Sequence, residues 1–156
     1  MFDLMNTRIG ELLNKATRIT FADVWKEVFK DEQFKTEILD WIRWEQLYNE
    51  GVDEFGQIIG TYSRYTEMLN PEKQEGTPYT LYDTGEFYNS MMIEVFNDYI
   101  EINADGLKVD EFGQTTDLFE EYGYEIIGLT EESKTKLATE LIERFNIEYR
   151  RLLQIN

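Results

Sequence analysis

Residues 130–152 have the fewest ways to fold of any part of this chain. Leu137, Leu141, Ile142, Phe145, Tyr149 and Leu152 recur at the three- and four-residue spacing of a single helix face. Thr130 is placed to cap the start, Glu131 and Glu132 sit at the positive end of the helix dipole, and Arg150 and Arg151 sit at the negative end. One helix buries only one stripe of its surface, so the rest of the chain has to supply a layer beneath it.

The centre of the chain offers strands for that layer. Residues 91–96 and 99–103 are β-rich runs joined by Asn97-Asp98, and the second run ends at Asp105-Gly106, which predicts an antiparallel hairpin or meander. A short strand over 107–109 is expected to extend the same sheet, and the long helix is expected to pack across it. The first third reads as helical. Ile9, Leu12, Leu13 and Ala16 form one stripe, Thr20 and Asp23 form a capping box ahead of Phe21, Val24, Val28 and Phe29, and Phe34, Ile38, Trp41, Ile42 and Tyr48 form a third stripe that Gly51 stops.

Between 51 and 80 the periodicity gives way to glycines, Pro71, Pro78 and tyrosines, with a helical turn expected at 65–69. So long an irregular stretch reads as an extended arm. Its aromatic residues Phe55, Tyr62, Tyr65 and Tyr79 mark it as a candidate subunit contact, because tyrosine is enriched at interfaces. The string Val-Asp-Glu-Phe-Gly-Gln occurs at 52–57 and again at 109–114. Its flanks differ, so recurrent turn chemistry explains it better than a repeat architecture, and Phe112 joins Phe55 as a contact candidate. The expected fold is therefore α+β, one domain over 1–156: a helical part (1–50), an extended arm (51–80) and a core (81–156) in which a small antiparallel sheet is packed by the long C-terminal helix.

Composition narrows the function. Thirty-two Asp and Glu against 15 Lys and Arg give a formal net charge of −17. Such a surface repels phosphate backbones and anionic lipid heads, so tight binding to nucleic acid or membrane is not expected. With no Cys and no His, thiol and imidazole nucleophiles, imidazole bases, thiolate zinc sites and disulfides are all excluded. No phosphate-cradling glycine loop or nucleophile elbow is present either. The chain is expected to be non-enzymatic, with no catalytic residue, metal or cofactor. It carries no apolar run of membrane-spanning length.

The segment 81–91, Leu-Tyr-Asp-Thr-Gly-Glu-Phe-Tyr-Asn-Ser-Met, holds Asp83, Thr84, Gly85, Phe87 and Ser90. Thr84 or Asp83 is expected to cap a short helix bearing Phe87 and Met91, with Gly85 supplying the tight turn and Ser90 leading into the first strand. A second block runs from Leu118 through Tyr122-Gly123 to Gly128-Leu129 and the acidic helix start. In order and spacing, from Gly60 to the C-terminus, these blocks resemble the virion-morphogenesis and tail-completion proteins of the phage head–tail neck. Tyr62-Ser63 and Thr66 resemble a stretch that precedes the motif in that family. Glu125-Ile126-Ile127 stands where members often carry Arg and Pro.

The resemblance implies a structural virion protein of a tailed bacteriophage, made in the host cytoplasm and kept in the neck or tail. It would form a tail-completion or tail-terminator ring of identical subunits against neck, portal-adaptor or tail-tube proteins. An acidic bore would let the genome pass without sticking. The alternative is an acidic DNA mimic that inhibits a DNA-binding host protein by imitating spaced phosphates.

Overall fold

The computed structural model describes residues 8–109 and 113–154. Three helices form the N-terminal third: α1 (Arg8–Ala16), α2 (Phe21–Val28) and α3 (Glu32–Asp40). The capping box of α2 is present. Thr20 Oγ1 accepts from the Asp23 amide at 3.2 Å, and the Asp23 carboxylate accepts from the Thr20 amide at 2.8 Å. Thr20→Ala should therefore lower stability by about 1 kcal/mol, read as a shift in the urea midpoint. α3 is capped by Asp31, whose side chain accepts from the Gln33 and Phe34 amides.

α3 runs directly into a π-helix over Trp41–Glu50. Its buried residues are Trp41, Ile42, Gln46 and Leu47, a spacing of five that fits the wider i→i+5 helix and would diverge on an α-helix. Gly51 ends it in the left-handed region at φ 63°, with its amide donating to Leu47 at 3.1 Å and the next amide reaching back to Gln46. From this segment Ile42 and Leu47 join Phe34, Ile38, Tyr88 and Ile126 in the fully buried centre of the core.

The 51–80 segment departs from the expected extended arm: it is a loop folded back on itself. Tyr79 N donates to Gly60 O at 2.8 Å, Tyr62 N to Thr77 O at 2.9 Å and Gly76 N to Tyr62 O at 2.9 Å. The expected helical turn is α4 (Arg64–Leu69), capped by Ser63. A bond from Glu54 N to Glu125 O at 2.9 Å ties the loop base to the core.

A short helix, α5 (Glu86–Ser90), leads into the predicted hairpin, β1 (Met92–Val95) and β2 (Ile100–Asn103). The strands pair antiparallel with Ile93 opposite Ile102 and Val95 opposite Ile100, so these four side chains share the face packed against the core. Phe96 N donates to Tyr99 O at 2.9 Å across Asn97-Asp98, and the two rings stack at 4.6 Å. β3 (Leu107–Val109) does not extend this sheet. It pairs with β4 (Thr115–Asp117) as a second two-stranded sheet. The chain turns away at Asp105-Gly106, where the Ser90 hydroxyl accepts from the Asp105 amide at 2.9 Å and Phe119 lies so close to Gly106 that a Cβ there would meet its ring at 2.5 Å.

β4 continues into α6 (Leu118–Tyr122), a 3-10 turn (Tyr124–Ile127) and α7 (Glu131–Leu153). Thr130 caps α7 by accepting from Ser133 N at 3.3 Å. The element against which α7 packs most is α2, and α1 also touches it. Phe145 stacks on Phe21 at 5.1 Å, and Arg144 pairs with Asp31 at 2.8 Å while its guanidinium covers the Phe34 ring. Ile100 and Ile102 of the β1–β2 hairpin line a shared cleft with Lys134 and Leu137 near the start of α7. Ile142, expected on the packed stripe, is 65% exposed, while Leu137, Leu141 and Phe145 pack against the core. No helix among the described residues is long and apolar enough to cross a membrane.

Candidate functional site

The return limb of the 51–80 loop and the motif segment after it build a tyrosine-lined cleft. The Tyr62 ring meets Tyr79 edge-on at 4.9 Å, and Tyr79 meets Tyr122 at 6.0 Å. Tyr82 contacts Tyr88 at 5.2 Å and Tyr48 at 5.7 Å, and Trp44 closes the group against Tyr88 at 5.5 Å. Edge-to-face contacts of this kind add modestly to area burial and fix ring orientation. Thr80 is the polar joint: its backbone carbonyl accepts from the Tyr88 hydroxyl, and its amide donates to the Tyr62 oxygen at 3.2 Å. Leu81, the next residue, has φ 55°, a conformation that a leucine holds only under tertiary constraint.

Two adjoining cavities open here, of about 320 and 430 Å³, with Tyr62, Lys73 and Tyr82 lining both. Asp83 stands on the wall, paired with Lys108 from β3 at 2.7 Å and with Lys73 from the loop at 3.5 Å. One carboxylate thus joins three segments that are distant in sequence. The hydrogen bond from Lys108 is the main reason the Asp83 carboxyl lies below the usual carboxylate range; the charges of Lys108 and Lys73 add to it, and partial burial opposes. Burial pushes the Tyr88 hydroxyl above its ordinary value, and burial together with Glu121 does the same for Tyr122. These phenols stay protonated at physiological pH, so the cleft offers ring faces, hydroxyls and a compensated charge cluster. That chemistry suits binding and packing.

A pH dependence follows from Asp83. With its folded pKa depressed, its contribution is present above the unfolded value near ~4 and is lost as pH falls through the folded pKa. Because the side chain is half exposed, the contribution is small, about 0.5 kcal/mol. Asp83→Asn should lower the urea midpoint slightly at neutral pH, and the gap to the native chain should close as the pH falls through the depressed folded pKa of the carboxyl.

The structure reassigns part of the motif. Asp83 is an ion-pair hub and not a helix cap. Thr84 Oγ1 reaches the Glu86 amide only at 3.4 Å, and Gly85 itself begins α5 at φ 85°. Met91 falls just after that helix. Phe87 is buried against Phe119 at 6.1 Å. Ser90 does more than lead into a strand: it donates to Phe87 O at 2.7 Å and accepts from Asp105 N, pinning α5 to the junction of the two hairpins.

In the second block Tyr122 faces the cleft, and Gly123 turns at φ 83°. Gly128 lies under the Glu54 side chain and Leu129 is buried. The Gly128 carbonyl accepts from buried Gln46 at 2.9 Å, and Gln46 also accepts from Thr130 N at 3.3 Å. Gln46 carries no motif in the sequence; only the five-residue spacing of its neighbours hints at its burial.

Among the candidate contacts, Tyr62 and Tyr79 are half-buried in the cleft, whereas Phe55 and Tyr65 are 66% and 70% exposed. Phe112 lies outside the described residues. The two matching hexapeptides share one verifiable feature, a positive φ at Gly56 and Gly113, as recurrent turn chemistry requires. The described residues contain no group of three or more acidic side chains placed to hold a metal ion. No family model, curated protein or solved structure matches the chain.

Proposed function

We propose that the chain is a structural protein of a tailed-phage particle, a subunit of a tail-completion or tail-terminator ring in the head–tail connector. The observation that carries this reading is the ordered pair of motif blocks at 83–91 and 122–129. Their residues act as joints of the fold: Gly85 and Gly123 turn the chain, Ser90 pins two hairpins together, and Leu129 fills the core. A motif that specifies a scaffold fits a structural family better than a reaction centre does.

The loop supplies surface for neighbours. Tyr65, Met68 and Leu69 of α4 are 70% or more exposed, and Phe55 and Ile58 stand out at the loop base. Apolar side chains grouped in this way mark interaction sites. In this reading neck, portal-adaptor or tail-tube proteins are the partners, and the net charge of −17 keeps a passing genome from adhering. Phage carrying a nonsense mutation in the gene should yield filled heads and separate tails, and infectious joined particles from that mutant would overturn the proposal. The same charge favours the second reading, a DNA mimic. That protein would capture a basic, DNA-binding host protein with an affinity that falls steeply with salt.

A further inference from the structure

β2 and β3 are each paired on one side only, since among the described residues each sheet holds two strands. An unpaired edge presents backbone donors and acceptors to any strand that can lie beside it. Phe96 N donates to Tyr99 O, so by the alternation of an antiparallel ladder the N–H and C=O of Ile100 and Ile102 point away from β1. Leu118 N donates to Gly106 O, and by the same alternation the backbone groups of Leu107 and Val109 point away from β4. Of these, Leu107 N is held by the Asp105 side chain at 3.0 Å. On the core-facing side of Ile100 and Ile102 lies an apolar cleft of about 350 Å³, bordered by Tyr124, Ile127 and Leu137. Leu107 and Val109 share one face of β3, and each is 60% exposed.

We infer that β3 of a second copy pairs antiparallel with β2, setting its Val109 opposite Ile100 and its Leu107 opposite Ile102. In this register the outward-pointing backbone groups of the two strands meet. Leu107 and Val109 of the second copy then lie on the face of Ile100 and Ile102, over the cleft. Its Lys108 falls directly opposite Glu101, on the other face. The charges favour this pairing over like with like. Glu101 already faces Glu94 across the hairpin, a destabilising pair of like charges. Lys108 is 40% exposed and shares the one carboxylate of Asp83 with Lys73, so that cluster carries a positive charge in excess. β2 on β2 in the matching register would set Glu101 against Glu101, and β3 on β3 would set Lys108 against Lys108.

The bodies of the two copies stay apart. The first packs its core under the Ile100 and Ile102 face, whereas the second lies under the opposite face, where Lys108 and Thr116 look onto the tyrosine-lined cleft. The chain's own β3 is turned away from β2 at Asp105-Gly106, where the Ser90 hydroxyl holds the Asp105 amide. The contact therefore joins unlike surfaces of two copies, the head-to-tail kind that generates a closed ring when its rotation closes.

This inference deepens the ring reading by naming one of its contacts, but it is tested on the purified chain without any phage. The full-length chain should self-associate in native mass spectrometry. Leu107→Ser with Val109→Ser should weaken that association about tenfold or more, since two apolar side chains lose their burial. Leu107→Val with Val109→Leu keeps the apolar surface and should retain it. Residues directly opposite in a non-hydrogen-bonded pair have Cα atoms about 4.5 Å apart, within disulfide range. Because the chain has no cysteine, mixing Glu101→Cys with Lys108→Cys under mild oxidation should give a disulfide-linked pair containing one of each, a result that decides the matter even if the double-serine chain fails to fold. A monomeric full-length chain, unchanged association of a folded double-serine chain, or links that join only like to like would overturn the contact. If the contact fails while the protein is still found in virions, the neck reading survives it; a verified contact in a protein missing from virions would overturn that reading alone.

Discussion

Gly51→Ala is expected to destabilise the chain by about 3 kcal/mol, seen as a large drop in the urea midpoint with an unchanged slope. Two costs add. The residue sits at φ 63°, where a Cβ meets the following carbonyl at a cost of ~1–2 kcal/mol. That Cβ would also lie 2.4 Å from the Pro78 side chain and 2.7 Å from the Tyr79 carbonyl oxygen, so the return limb of the loop would have to move. Gly56 provides the control, having φ 72° with nothing within 4 Å of an added Cβ. Gly56→Asn should be nearly neutral because asparagine tolerates the left-handed region, while Gly51→Asn should remain costly because its Cβ still collides. Equal effects at the two sites would contradict the close approach of the π-helix end and the loop.

The second large effect is expected at Tyr88, which is 1% exposed and sits among Trp44, Tyr82 and Phe87. Tyr88→Ala should cost about 3–5 kcal/mol by leaving a cavity. Tyr88→Phe keeps the ring but strands the Thr80 carbonyl, at about 1–3 kcal/mol, and should speed hydrogen exchange across residues 79–82. Alkali adds a further distinction. The folded pKa of Tyr88 is raised, so its contribution is complete below the unfolded value near ~10 and declines as pH rises past it. The native chain should lose stability above about pH 10 more steeply than Tyr88→Phe, whereas parallel pH profiles would mean that the hydroxyl is not buried.

Local signals made much of this architecture legible. The Thr20–Asp23 box, the Thr130 cap and the Asn97-Asp98 turn each depend on residues within four positions of one another, and each is where the sequence places it. Features that depend on distant partners were not legible. An α-helical stripe and a π-helical stripe share several positions over two turns, and the burial of Gln46 and Leu47 in place of Tyr48, which is exposed, separates them. β3 reads in the sequence as a third strand of the first sheet, whereas it pairs with β4, a partner that nothing local to residues 107–109 marks. The loop's fold-back rests on backbone bonds such as Tyr79 to Gly60, which leave no mark in side-chain pattern.

At the candidate site the sequence singled out Tyr62, Tyr79, Asp83 and Tyr122 from separate segments, and the fold gathers all four around one cleft. It could not reveal that Lys73 and Lys108 share Asp83, because a salt bridge between segments this far apart has no spacing rule. Asp83 therefore read as a cap, the role a carboxylate most often takes just ahead of a helix.

The central claim is that this chain is a built-in component of a phage particle. Mass spectrometry of purified virions, with copy number measured against the major capsid protein, tests it most directly. The expected result is the full-length chain at a small fixed copy number equal to one closed ring per particle. Its absence from virions that are complete and infectious would contradict the claim.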